Sequence, residues 1–268
     1  MHDFDYLRPK SLADAIAAFR QSGDGKYLAG GQTMIPVMKQ RLASPSHVID
    51  LAAVPELKGV SAVDDGVAVG AMTSHAEVAA SDVVRAAIPA LADLAQGIGD
   101  PHVRNRGTLG GSLANNDPAA DYPAAVVGLA ATVVTDRRRI AADDFFTGLF
   151  ETALKEGELI TGVEFPKPAA AAYEKFLHPA SRFALVGVFV ARAKSGVRVA
   201  VTGAGPCVFR ATALEQALSK SFAADAVRDM NIDATELNSD IHGSAEYRAH
   251  LTGVLTARAV GRMADKAK

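Results

Sequence analysis

The stretch IGDPHVRNRGTLGGSLANNDPAAD, residues 98–121, decides how the rest of the chain is interpreted. It has no helical or strand periodicity, so the sequence predicts a long polar loop between two apolar segments, and such loops are usually functional. Gly110 and Gly111 lack side chains, which allows another molecule to approach their backbone N–H groups. Thr108 and Ser112 flank them with hydroxyls. This pattern predicts a phosphate-binding loop that uses no lysine.

A second glycine pair lies upstream, in AGGQT at residues 29–33, between the predicted strand KYLA and the predicted helix MIPVMKQRL. A glycine pair after a strand is more often only a turn. Two such loops in one chain nevertheless favour a ligand with two phosphates. Neither is GxGxxG or GxxxxGK[ST], so neither a nicotinamide-dinucleotide fingerprint nor a P-loop hydrolase is indicated.

Composition narrows the function classes. The 268 residues carry a net charge of −2, which argues against a nucleic-acid or anionic-membrane surface. The single cysteine, Cys207, cannot hold an iron–sulfur cluster, which needs about four ligands. The histidines show no metal-ligand spacing, so no metal is expected. We find no signal-like N-terminus and no apolar run of roughly 18 residues, and therefore expect a cytoplasmic protein without a membrane span.

The order of predicted elements gives the fold class. A small α/β unit reaches to about residue 54, and a second unit begins with a hairpin that turns at Asp65-Gly66. Helices are predicted over residues 74–80 and 82–97, and a strand over 158–165. Residues 166–172 are rich in proline and alanine and predict a linker. Three strands and two helices follow, which predicts an antiparallel sheet with helices on one face.

Several candidate residues have a structural alternative. Asp121 either binds a ribose hydroxyl or caps the next helix, whereas turn chemistry is favoured for Asp117. Arg104 either counters phosphate charge or pins its own backbone. His102 stands in a turn with no nucleophile beside it.

AGGQTMIPVMKQRLASPSHVIDL (residues 29–51) and IGDPHVRNRGTLGGSLANNDPAADYPA (residues 98–124) together resemble the FAD-binding medium subunits of molybdenum hydroxylases. This family includes the medium subunit of carbon monoxide dehydrogenase and the flavin domain of xanthine dehydrogenase. AMTSHAEV, DDFFTG, ELITGVEFP and AEYRAHL extend the resemblance over essentially the whole chain. It implies an α+β fold, with a two-subdomain FAD-binding domain of the vanillyl-alcohol-oxidase type (residues 1–168, divided near 54) and a C-terminal α+β domain (169–268).

The resemblance also implies a set of cofactor-binding residues. Two of them, Leu159 and Ile160, would back the flavin ring, and Asp121 would bind ribitol or ribose hydroxyls. The full implied set is Ala29, Gly30, Gly31, Gln32, Thr33, His102, Thr108, Gly110, Gly111, Ser112, Asp121, Leu159 and Ile160. In xanthine dehydrogenases a lysine near the flavin follows a phenylalanine on the first strand after the linker; here Leu177 follows Phe176, so that role is not carried over. Residues 115–118 read NNDP where some relatives read HADP.

The implied function is electron transfer through FAD to an external acceptor, which the sequence does not identify as NAD, a quinone or oxygen. A small iron–sulfur subunit would deliver electrons, and a large molybdenum–pterin subunit would oxidise a substrate, as a dimer of heterotrimers. The alternative is a free-standing FAD-dependent oxidoreductase that acts directly on a small substrate.

Overall fold

The N-terminal unit is a small parallel sheet with two helices. The computed structural model describes residues 1–265. The strand order is β1-β3-β2, with each outer strand parallel to β3. Ser11 caps the first helix, because its hydroxyl accepts the Asp14 N–H at 3.1 Å. The elements are β1 (Asp5–Leu7), α1 (Leu12–Gln21), β2 (Gly25–Leu28), α2 (Met34–Lys39) and β3 (His47–Asp50), followed by short 3-10 turns at Leu51–Ala53 and Pro55–Leu57.

The middle unit is built on an antiparallel sheet in the order β4-β5-β10-β6-β7. The predicted hairpin at Asp65-Gly66 joins its first two strands. The last strand in sequence, β10, lies at the centre and buries Val163 and Phe165. The strands are β4 (Val60–Val63), β5 (Gly66–Gly70), β6 (Thr132–Thr135), β7 (Arg139–Ala141), β8 (Phe146–Gly148), β9 (Glu151–Thr152) and β10 (Ile160–Pro166), of which β8 and β9 form a separate hairpin.

The helices of this unit correct two predictions. The single helix over residues 82–97 is wrong: it is broken at Ile88, because the ring of Pro89 disfavours a helical residue before it. Residues 98–121 are not one loop but contain two short helices, over 101–106 and 109–115, and the two glycines at the start of the second hide its apolar periodicity. The helices are α3 (His75–Ala80), α4 (Asp82–Ala87), α5 (Pro89–Gln96), α6 (Pro101–Arg106), α7 (Leu109–Asn115), α8 (Tyr122–Gly128) and α9 (Ala142–Phe145).

The C-terminal unit is an antiparallel sheet in the order β11-β12-β13-β14 with two helices. Its elements are β11 (Ala170–Leu177), β12 (Ala184–Ala193), β13 (Gly196–Thr202), β14 (Phe209–Arg210), α10 (Thr212–Lys220) and α11 (Ala245–Asp265). The predicted linker is shorter than expected, because Ala170–Leu177 already pair with β12. No helix within residues 1–265, the 21-residue α11 included, is both long and apolar enough to cross a membrane.

Both faces of the C-terminal sheet are covered. Val188 and Val190 of β12 pack in the same core as Leu214 of α10 and Leu255 of α11, which confirms the prediction of helices on one face. Phe189, on the opposite face of β12, packs in the core of the middle unit. The C-terminal sheet is therefore packed against helices of the preceding unit as well as its own.

Candidate functional site

A cavity of about 830 Å³ opens between the N-terminal and middle units. Its volume lies within the range of roughly 300–1,000 Å³ typical of small-molecule and cofactor sites. The predicted residues that line it are Ala29, Gly30, Gly31, Gln32, Thr33, Thr108, Gly110, Gly111, Ser112, Asp121, Leu159 and Ile160. His102 does not: it lies exposed on α6, outside the cavity wall, because α6 turns its side chain to solvent.

The first glycine loop presents open hydrogen-bond donors. It connects β2 to α2, and Gly31 has φ +75°, a conformation that favours glycine. Within residues 1–265, the N–H groups of Gly30, Gly31 and Gln32 donate to no protein acceptor. Thr33 stands at the start of α2, but its hydroxyl makes no capping bond. These groups are free to bind an anionic ligand.

The second glycine pair has a different role from the one predicted. Gly110 and Gly111 lie in the first turn of α7, and their N–H groups are not open. The Gly110 N–H donates to the Ala71 carbonyl at 2.8 Å, and the Gly111 N–H donates to the Thr108 hydroxyl at 3.2 Å. A Cβ on Gly110 would lie 2.6 Å from Ala71 Cβ. Glycine is required there for close backbone packing.

The two glycine segments contact each other across the cavity wall. A Cβ on Gly30 would lie 2.0 Å from the Arg106 carbonyl oxygen and 3.0 Å from Gly107 Cα. A Cβ on Gly111 would lie 3.3 Å from Ala29 Cβ. Two segments about 80 residues apart in sequence therefore form one continuous surface that any side chain at these glycines would disturb.

Asp121 lies at the cavity wall and is held by the C-terminal unit. Its Oδ1 accepts the Tyr173 hydroxyl at 2.5 Å and is 2.9 Å from Lys175 Nζ. Lys175 Nζ also donates to the Gly97 carbonyl at 3.0 Å. Burial raises the pKa of Asp121, while Lys175 and Tyr173 oppose that change. Within residues 1–265, Oδ2 has no hydrogen-bond partner, so this oxygen can accept a ligand hydroxyl.

Tyr173 and Lys175 are functional candidates that the sequence reasoning missed. The signal was the two-residue period of β11, which places both side chains on one face. The lysine was sought instead at Leu177, which is 42% exposed and follows a register shift after Phe176. The buried lysine of this strand lies two residues earlier, at position 175.

His75 is a third missed candidate, and it lines the cavity wall. It begins α3, which Ser74 caps together with Glu77 in a reciprocal capping box. The His75 side chain is 5% exposed, and its backbone N–H donates to the Gly107 carbonyl at 3.0 Å. Burial lowers the pKa of His75 to about 4, and Arg104 adds to this effect, so the ring is neutral at pH 7. A lone histidine gives no sequence signal for such a position.

Several polar residues within residues 98–121 hold the backbone in place instead of facing a ligand alone. Arg104 donates to the carbonyls of Ile98 and Gly99, so it pins its own backbone. Asp117 accepts the Ala119 N–H at 2.9 Å in a turn, although it also lines the cavity. In the NNDP segment, Asn116 has φ +43° and its amide donates to two carbonyls of the β8–β9 hairpin. These contacts fix the loop.

The charged side chains of the cavity wall do not form a positively charged site for an anion. The charged side chains that line it among the described residues are two lysines and five acids: Lys26, Lys155, Asp24, Asp117, Asp121, Glu156 and Glu158. Glu158 is neutralised by Arg138, whose Nε lies 2.9 Å from its Oε1 and whose hydrogen bonds lower the pKa of Glu158 to about 2. An anionic ligand would be held here by backbone N–H groups and hydroxyls.

Comparison with known proteins identifies the family. The family model "FAD binding domain in molybdopterin dehydrogenase" matches residues 2–168, and "CO dehydrogenase flavoprotein C-terminal domain" matches residues 171–263. The chain belongs to the FAD-binding medium subunits of the molybdenum hydroxylases. The recognition made from the two glycine motifs is thereby confirmed.

Full-length relatives support this membership. The medium chain of carbon monoxide dehydrogenase from Hydrogenophaga pseudoflava is 37% identical over 96% of this chain and 96% of its own length. The medium subunit of nicotine 6-hydroxylase from Paenarthrobacter nicotinovorans is 38% identical over 95% of both chains. The structure of the Hydrogenophaga pseudoflava dehydrogenase lacking the Mo-pyranopterin moiety superposes with a TM-score of 0.92, covering 99% of this chain and 98% of that chain.

The predicted fold class is confirmed by that superposition. The protein is an oxidoreductase flavoprotein subunit, and FAD is its cofactor. The free N–H groups of the first loop can donate to a bound diphosphate. The glycines of both segments keep the backbone of this surface free of side chains, which also fits a diphosphate.

Proposed function

We propose that FAD lies in the cavity between the N-terminal and middle units, with its diphosphate against the surface formed by the two glycine segments. The observation that carries this proposal is the contact of Gly30 with Arg106 and Gly107 and of Gly111 with Ala29. The open donors of residues 30–32 and the unused hydroxyl of Thr33 lie on this surface. Neutral donors suit a diphosphate in a wall that carries more acids than bases.

The proposed cofactor contacts are divided between the segments. The first loop donates hydrogen bonds, and the second shapes the surface and contributes hydroxyls. Asp121 accepts a hydroxyl of the sugar or ribitol chain through Oδ2, and the Leu159–Ile160 pair backs the ring. The proposed set is Ala29, Gly30, Gly31, Gln32, Thr33, Thr108, Gly110, Gly111, Ser112, Asp121, Leu159 and Ile160. His102 is left out because it does not line the cavity.

The role of the chain is to hold FAD between an electron donor and an acceptor. When bound, FAD exchanges electrons singly or in pairs, which suits it to connect an iron–sulfur centre with a two-electron acceptor. The residues of this chain bind and orient the cofactor and exclude water from its buried side. With one cysteine, the chain cannot itself supply the ligands of a cluster.

We propose that a small iron–sulfur subunit and a large molybdenum subunit complete the enzyme, as a dimer of heterotrimers in the cytoplasm. The support is that the relatives are medium chains or medium subunits of dehydrogenases and hydroxylases. The division into residues 1–168, with subdomains meeting near 54, and 169–268 is part of the same proposal.

Two measurements test this function. The purified chain, incubated with FAD and desalted, should show flavin absorbance bands at close to one equivalent. A chain that retains no flavin would overturn the cofactor proposal.

Co-purification from the native host should then recover an iron–sulfur chain and a molybdenum chain. Recovery of the flavin-loaded chain alone, with activity towards an organic substrate, would instead favour the free-standing oxidoreductase.

A further inference from the structure

His75 combines burial, neutrality and an unpaired ring nitrogen at the wall of the cofactor cavity. The side chain is 5% exposed and the residue lines the cavity. Its Nδ1 is buried and, within the described residues, has no hydrogen-bond partner. Buried polar atoms without partners are uncommon, and each asks for an explanation.

The position of the ring is set by its neighbours. Gly107 packs directly against the imidazole edge, because a Cβ on Gly107 would lie 2.5 Å from His75 Nε2. The Tyr122 ring lies behind it, with a centroid distance of 5.2 Å, and the Tyr122 hydroxyl is also buried without a partner. The absence of a side chain at Gly107 leaves room for the imidazole edge at the cavity wall, which both residues line.

The placement of the proton follows from the surroundings. A neutral imidazole has one N–H donor and one acceptor nitrogen. An unpaired N–H is rarer in a protein interior than an unpaired acceptor. The proton therefore belongs on Nε2, on the side of Gly107 and the cavity, and Nδ1 is the bare acceptor that faces the interior.

We propose that His75 is a cofactor-binding residue, whose Nε2–H donates a hydrogen bond to FAD beside Gly107, with Tyr122 holding the ring in place. This inference rests on the proposed function, since it assigns a further contact in the same cavity. It also assigns Gly107 a role: the glycine leaves the space through which the imidazole reaches the cofactor. A neutral donor is consistent with a wall whose free donors include the backbone amides of residues 30–32 and the Thr33 hydroxyl.

The test measures FAD affinity for the full-length chain and four variants. His75→Leu removes the donor, and we expect roughly tenfold weaker binding. His75→Gln keeps an N–H donor in a neutral side chain, and we expect it to restore most of the affinity. Gly107→Ala keeps the imidazole, but its Cβ would lie 2.5 Å from Nε2 and must displace the ring, so we expect a loss similar to that of His75→Leu. In the double variant His75→Leu/Gly107→Ala the two losses of FAD affinity should not add, because both substitutions act on one hydrogen bond.

A direct readout separates contact from structural support. With ¹⁵N-histidine labelling, the resonance of His75 Nε2 should shift on addition of FAD, and its assignment follows from the His75→Gln spectrum. Melting temperatures of the FAD-free variants show whether a loss of affinity only reflects unfolding.

An unchanged His75 resonance on FAD saturation, or wild-type affinity in His75→Leu, would overturn the inference while FAD binding by the wild type stands. If the wild type itself binds no FAD, the proposed function fails, and this inference fails with it.

Discussion

A Cβ at Gly30 should disrupt the contact between the two glycine segments. In Gly30→Ala the new carbon would lie 2.0 Å from the Arg106 carbonyl oxygen, whereas ordinary contacts begin at 3.4 Å. The segments must therefore separate by more than 1 Å, and the obstacle is backbone that cannot rotate away. Overpacking of this kind costs about 1–3 kcal/mol. For a chain of this size we expect the melting temperature to fall by roughly 2–12 °C.

The effect on FAD should be larger than the effect on stability. A shift of more than 1 Å takes hydrogen bonds of about 2.9 Å beyond their useful range. Each hydrogen bond to a charged group contributes about 1.5–3 kcal/mol, so the loss of one weakens binding by roughly tenfold or more. Gly261→Ala in α11 is the matched control, since no atom lies within 4 Å of the added carbon there. Isothermal titration with FAD and thermal unfolding measure both quantities, and wild-type values for Gly30→Ala would refute this account of the cavity.

Three further predictions concern buried ionisable side chains. Lys175→Met leaves Asp121 buried without a cation, so the free energy of unfolding should fall by about 3–5 kcal/mol in urea, and adding Asp121→Asn should restore part of it. The pKa of His75 is about 4 in the folded state and 6.5 when exposed, so the unfolded chain binds more protons between these pH values. The contribution of His75 to stability is therefore complete above pH 6.5 and is lost as the pH falls towards 4. His75→Gln should flatten this part of the pH dependence, as measured by urea unfolding. The pKa of Glu158 is about 2 against 4.5 when exposed, so its contribution is lost as the pH falls from 4.5 towards 2, and Arg138→Gln should weaken that dependence, as followed by circular dichroism in acid titrations.

Local signals in the sequence predicted the succession of the three units. The predicted binding residues came mainly from the family resemblance, and twelve of the thirteen line the cavity. Glycine pairs beside hydroxyls mark sites of close approach, and the continuous apolar run of residues 184–191 predicts a strand. The helix starting at Leu109 escaped prediction because two of its first three residues are glycines, which are poor helix formers. Thr108, which supplies the cap, was instead assigned to a ligand loop.

Long-range contacts explain the remaining differences. The sequence does not show that the Ala71 carbonyl lies opposite the Gly110 N–H. For that reason this N–H was wrongly predicted to be open to a ligand. The family resemblance selected His102 and passed over His75, yet the fold exposes the first and buries the second in the cavity wall. A histidine acquires a role from the residues packed around it, and neither periodicity nor spacing within the chain records them.

The buried Asp121 carboxylate joins the proposed cofactor site to the C-terminal unit. A carboxylate with 4% exposure is strongly unfavourable unless cations or donors compensate for its lost hydration. Here the compensation comes from Tyr173 and Lys175, both on β11. A chain that ended before β11 would keep both glycine segments but leave this charge unpaired inside the protein. The C-terminal unit therefore contributes to the electrostatics of the proposed cofactor site, and we expect the cavity and the C-terminal sheet to unfold together.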